Sequence, residues 1–244
     1  MKNMIDLFRL RAKLLLRNSV LTLPLVVTAF FLGIMYSMSP LDITSSFLIS
    51  AIYLYIVCVF VAMNINGKEN DVFEETLLLH SKSAINFYAS RELVFFFINF
   101  VCSVVLTAAP AVISVIDTNK FVPAAEPMDI VCGGAYILCA GITGMATGDL
   151  FHPRLIAKRK NAVLGAILLS VLAICKHGLI GYNPIFKFLH IPLPPIMDGI
   201  ELVAGNNYRF DTAGIFLICL HMLVYAAVVT LIKIMLLTVK RFRY

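Results

Sequence analysis

Apolar residues fall in six long blocks, parted by short polar connections. The blocks cover 19–38, 44–65, 93–116, 128–150, 162–176 and 212–239. One bilayer crossing takes ~20 apolar residues, so the pattern predicts an all-α polytopic membrane protein with six transmembrane helices. The fourth block is rich in glycine. Gly134, Gly141 and Gly148 recur every seven residues, and Gly144 with Gly148 makes a GxxxG step. Glycines on one face let a second helix come close, which predicts a packing seam within the subunit or across a dimer.

The fifth block is short, and the stretch after it is broken by Pro184, Pro192, Pro194 and Pro195. The apolar fragments 185–188 and 196–203 are too short to span. Irregular backbone at membrane depth needs protein or water around it. Short re-entrant or interfacial helices are therefore expected within 177–211, on one face of the membrane. At the N-terminus, Lys2, Asp6, Arg9, Lys13 and Arg17 fall on an arc of about 80° at 100° per residue. Met4, Ile5, Leu7, Phe8, Leu14, Leu15 and Leu16 fill the rest, with Arg11 the exception. Residues 1–18 thus read as an amphipathic helix lying in the membrane plane. The apolar run behind it is long enough to span, so no cleavable signal is expected.

Composition sharpens this picture. Of 244 residues, 60% are hydrophobic and only 14% charged, against about 25% charged in an average soluble domain. That excludes a soluble fold, a disordered chain and a disulfide-stapled scaffold, and it leaves a single transmembrane domain over 1–244. The net charge of +6 points to membrane topology rather than to nucleic acid. Fifteen Lys and Arg residues flank one set of block ends and three the other. Basic residues gather on the cytosolic side, which predicts both termini in the cytosol. The six cysteines all lie in apolar runs without a CxxC pair and read as buried small side chains.

The connection between blocks two and three, within 66–91, carries the most information. It runs Asp71-Val72-Phe73-Glu74-Glu75-Thr76-Leu77-Leu78-Leu79-His80. Asp71 with Glu74 resembles a capping box, and Ser81 or Ser83 can cap the next helix, which passes through Ile85, Phe87 and Tyr88. The pattern predicts a short cytosolic helix, acidic at its start, where the helix dipole favours carboxylates, and leucine-rich at its end. Such a helix has little of its own chain to bury against and reads as a docking element for another protein.

Taken together, these features resemble the membrane subunit of type-2 ABC exporters. They are the basic amphipathic helix, the very short first external loop at 39–43, the acidic-then-leucine helix, the proline-broken stretch and the basic tail. The resemblance implies that Asp71, Phe73, Glu74, Glu75, Thr76, Leu77, Leu78 and Leu79 form a coupling helix for a separate ABC ATP-binding subunit. It also implies a second copy of this chain, or a paralogue, as partner. Small chains of this type are similar to peptide, bacteriocin-immunity and phenol-soluble-modulin exporter subunits of Gram-positive bacteria, which implies a multi-pass protein of the bacterial cell membrane. The chain has no GxxxxGK[ST] phosphate cradle. ATP and magnesium are therefore expected in the partner, with no cofactor, metal or catalytic residue here.

Competing readings rest on ionisable groups in the blocks, which are functional candidates by default. Asp129, Asp149 and Glu92 sit near block ends, where headgroup-level solvation suffices. Lys233 can snorkel to the cytosolic side. His221 alone lies well inside a block and reads as a packing residue. Glu74-Glu75 is similar to the glutamate pair of CAAX-type intramembrane proteases, but Leu79 stands where that pattern has arginine. An intramembrane enzyme and a passive scaffold are the alternatives. A secondary transporter would show inverted halves and midplane charges, which this sequence lacks. A charge-poor interior suits amphipathic or lipid-like cargo, with Phe96, Asn99 and Phe100 as candidate pathway residues.

Overall fold

The computed structural model describes residues 4–17, 21–68, 71–81, 83–117, 120–205 and 209–239. Lys2 lies outside these, as do the side chains of Asp71 and Phe73. The described residues are helical and contain no strand. Their helices are α1 (Met4–Arg17), α2 (Thr22–Met35), α3 (Ile43–Lys68), α4 (Asp71–His80), α5 (Ala84–Ile116), α6 (Pro127–Asp149), α7 (Arg159–Tyr182), α8 (Asp198–Gly205) and α9 (Thr212–Val239). A 3-10 turn covers Pro184–His190. Five helices, α3, α5, α6, α7 and α9, are long and apolar enough to cross a membrane, as a multi-pass protein requires. Where the first of the six spans was expected, at 19–38, α2 has 14 residues. That is about 21 Å at 1.5 Å per residue, short of a ~30 Å hydrocarbon core.

The bundle is built around α6, which packs most extensively on α3 and then on α9 and α5. Its glycines explain the closeness. A Cβ at Gly144 would lie 2.5 Å from the Tyr55 carbonyl oxygen, and one at Gly148 would overlap the Val59 backbone. Gly141 faces Asn99 and Leu54, and Gly134 faces Thr107. These glycines therefore face α3 and α5 of the same chain. Asn99 is anchored in the seam, donating to the Leu138 carbonyl at 3.0 Å.

α5 is one helix of 33 residues, capped by Ser83, whose hydroxyl accepts the Asn86 N–H at 3.1 Å. α1 lies along it. Asp6, Arg9, Lys13 and Arg17 are exposed, while Leu7 is buried with Leu77, Phe87, Tyr88 and Leu237. Arg11, the exception on the helical wheel, points inward, 4.5 Å from the centroid of the Phe87 ring. Leu7 at the centre of the apolar face of α1 thus rests on protein while Ile5 stays exposed, and the arginine that breaks the pattern stacks on an aromatic face.

The proline-rich segment folds back into the bundle. The Tyr225 hydroxyl donates to the Pro192 carbonyl at 3.1 Å, and Tyr225 lies about 20 Å along α9. The Tyr136 hydroxyl donates to the Ile196 carbonyl. Ile196 packs with Tyr55, Val59, Ala166 and Ala173. Helices bury their own backbone polar groups; an inserted loop needs outside partners. Pro192, Pro194 and Pro195 bring no N–H donors to satisfy, and two tyrosines cover carbonyls.

Replacing Gly148 by Ala should cost about 1–3 kcal/mol, the usual penalty for overpacking. Gly33→Ala, which meets no atom within 4 Å, should change stability by under about 0.5 kcal/mol. Thermal unfolding of the two variants in detergent measures the difference.

Candidate functional site at the basic end of the bundle

Charged side chains from five elements meet where α3, α6 and α9 end and α5 begins. Asp149, the last residue of α6, is the centre. Its Oδ1 accepts from Arg91 at 3.0 Å and from the Asn66 amide at 2.8 Å. Its Oδ2 accepts from Lys233, which also donates to Glu92 Oε1. Arg91 also donates to the Asn66 side-chain oxygen, Oδ1, and its Nη1 lies 3.0 Å from His152 Nε2. Arg91 and Glu92 are neighbours on α5 and so point about 100° apart. One faces α3 and α6, the other α9.

The network continues to α4. Arg154 donates to Glu74 Oε1 at 3.3 Å and to the Leu237 carbonyl of α9 at 3.0 Å. His152 Nε2 lies 3.8 Å from Glu74 Oε2. A tight turn sets this geometry: the Leu155 and Ile156 N–H groups both donate to the His152 carbonyl at 2.9 Å. Asp149, Arg91 and Glu74 are each only 1% exposed, and Lys233 is fully buried. Three carboxylates, Glu74, Glu92 and Asp149, balance the three cations Arg91, Arg154 and Lys233. An unpaired ion at such burial would cost several kcal/mol. Burial and then the Arg91 guanidinium push the His152 pKa down from 6.5 to about 2. The guanidinium can only donate, so the neutral ring accepts at Nε2.

The expectation of headgroup-level solvation for Asp149 and Glu92, and of snorkelling for Lys233, is therefore replaced by direct pairing in the bundle. Asp129 is buried and accepts the Glu126 N–H at 3.3 Å. His221 is not alone: its Nδ1 lies 3.7 Å from Asp198, which also accepts from Lys176 at 2.6 Å and sits 2.9 Å from His177. Within α4, Glu74 and Leu77 face inward, Glu75 and Leu78 are half-buried, and Val72, Thr76 and Leu79 are exposed. Phe96 and Asn99 line a cleft between α5 and α9, and Phe100 borders a separate shallow groove.

Local spacing assigns no role to Asn66, Arg91, His152 or Arg154. One available signal was position: Asp149 closes the most glycine-rich helix, and a helix that others approach closely buries its ends as well. No group with metal-holding geometry occurs among the described residues. What the arrangement can do is transmit force: it joins α4, the 150–158 turn, α5, α6 and α9 by directional bonds. No family model, curated protein or solved structure matches the chain.

Asp149→Asn leaves Arg91 and Lys233 short of a counter-charge and should cost about 3–5 kcal/mol, read as a lowered melting temperature in detergent. His152 gives a pH dependence. Below about 6.5 the unfolded ring takes up a proton that the folded ring refuses, so acid favours unfolding. Its contribution is level above pH 6.5 and should fall by about 1.4 kcal/mol per unit below it. His152→Gln should remove that limb from a pH series of melting curves.

Proposed function

We propose that this chain is the transmembrane permease subunit of an ATP-driven ABC exporter of the bacterial cell membrane. In this reading the basic end faces the cytosol with both termini, and α2 completes six membrane segments. A separate ATP-binding subunit docks on α4. A second copy of this chain, or a paralogue, completes the membrane part, and the cargo is amphipathic or lipid-like.

The observation that carries the reading is the two-sided construction of α4. Its inner edge is fixed to the bundle by Glu74, held by Arg154, which also grips α9 through the Leu237 carbonyl. Its outer edge presents Val72, Thr76 and Leu79, spaced to share one helical face. An exposed apolar edge on a helix held firmly from behind suits a partner that pulls or pushes. Motion of α4 passes by Arg154 to α9, and by His152 and Arg91 to Asp149 at the foot of α6. ATP-driven closure of two partner subunits would rock these helices and alternate access to a central path.

Glu74 is a structural tie here, so the docking test belongs on the outer face. A tagged chain purified from its native membranes should bring vanadate-sensitive ATPase activity with it. Leu79→Asp, at an exposed position on that face, should cut that activity at least about tenfold, the equivalent of 1.4 kcal/mol of binding, with the melting temperature unchanged. Wild-type protein free of ATPase activity, or a variant that retains all of it, would reject the reading.

A further inference from the structure

A lateral cleft of about 470 Å³ separates α5 from α9 over one face of α6. That lies within the range of small-molecule sites, about 300–1,000 Å³. Phe95, Phe96 and Asn99 line one wall together with Glu92, following the three- and four-residue steps of a single helix face. Leu223, Ala226, Ala227, Thr230 and Leu231 do the same on α9. From Leu223 to Leu231 the cleft runs about 12 Å along the helix. The alanines keep it open, and Met145 and Ala146 form its floor.

Its walls are apolar except at the end near the ion network. There Glu92, still 29% exposed, borders the cleft. Its Oε1 takes Lys233, and Oε2 has no hydrogen-bond partner among the described residues. A carboxylate oxygen at the end of an apolar slot in a water-poor setting gains most from a cationic donor, since charge-assisted hydrogen bonds are the strong ones. From this juxtaposition we infer that the α5–α9 cleft binds one chain of a primary-ammonium amphiphile, with the ammonium on Glu92 and the tail running over Met145 and Ala146 toward Leu223. The inference rests on the cargo part of the proposed function and deepens it, but it does not depend on ATP coupling, so either can fail alone.

The chain contains no tryptophan, so Leu223→Trp places a single indole, excited selectively over the nine tyrosines, at the far end of the cleft. The protein is reconstituted in phosphatidylcholine vesicles without nucleotide and titrated with ω-bromodecylamine, whose bromine quenches a nearby indole. Saturable quenching is expected, about tenfold tighter than for ω-bromodecanol and absent for ω-bromodecanoate. In the same background Glu92→Gln, which leaves Lys233 paired with Asp149, should abolish the preference of amine over alcohol. Ala227→Phe, at an exposed position on the cleft wall, should remove saturable quenching by the amine. Linear quenching that never saturates would mean partition into the bilayer and would overturn the proposal. Equal affinity for amine and alcohol, or an unchanged preference in Glu92→Gln, would overturn it too.

Discussion

Asp149 holds two cations from two different helices, and the geometry of the basic end follows from that requirement. In a low-dielectric interior each of these ions needs its partner in place. Arg91 must come from α5, Lys233 from α9 and Asn66 from the end of α3. Those contacts fix the relative height and rotation of three helices around the foot of α6. Apolar packing in a membrane gives little such instruction, because lipid tails are as apolar as the helices. The glycines of α6 supply proximity, and the ions supply register.

The two ends of the bundle solve opposite problems. At the basic end, charged side chains are drawn inward and paired. At the other, a piece of irregular backbone is drawn inward, with prolines removing donors and Tyr136 and Tyr225 covering carbonyls. Asp198 is fixed there by Lys176 and His177. The loop therefore has ionic anchoring at the start of α8 and hydrogen-bond anchoring within its turn. Both devices obey one rule, that no polar group enters a low-dielectric region without a partner.

Much of this was legible along the chain, because it depends on local spacing. The long apolar helices, the Gly134–Gly148 seam, the Ser83 cap and the helical pieces within 177–211 all follow from residues close in sequence. Partner choice was not legible. Lys233 meets Asp149 across 84 positions and Glu92 across 141, and no local pattern encodes such distances. The charges near block ends were therefore assigned to solvent, the default for an ion at the membrane surface. Glu74 illustrates the same gap. Its place beside Glu75 in an acidic start gave it a docking role, yet one helical step separates a carboxylate bound to Arg154 from one that is half-buried on the helix flank. The length of α2 has a different reason: an apolar run marks what can enter the bilayer, not where the helix within it stops.

The ionic character of the joint bears on how it could work. A buried ion pair seldom adds stability over well-packed apolar residues of the same volume, so stability alone gives little reason for Glu74, Arg154, His152 and Arg91 to stand where they do. Directionality is a better reason. Arg154 holds a side chain of α4 and a main-chain carbonyl of α9 with separate arms of one planar group; tilting α4 must therefore strain or shift the end of α9. An apolar contact at the same place would slide. His152 accepts from Arg91 and stands two residues from Arg154, so both halves of the network meet through the 150–158 turn, at a ring that bears no charge of its own above about pH 2. In the proposed reading, a partner that grips this small helix from outside moves the foot of the bundle as a unit, while the charges keep their partners throughout.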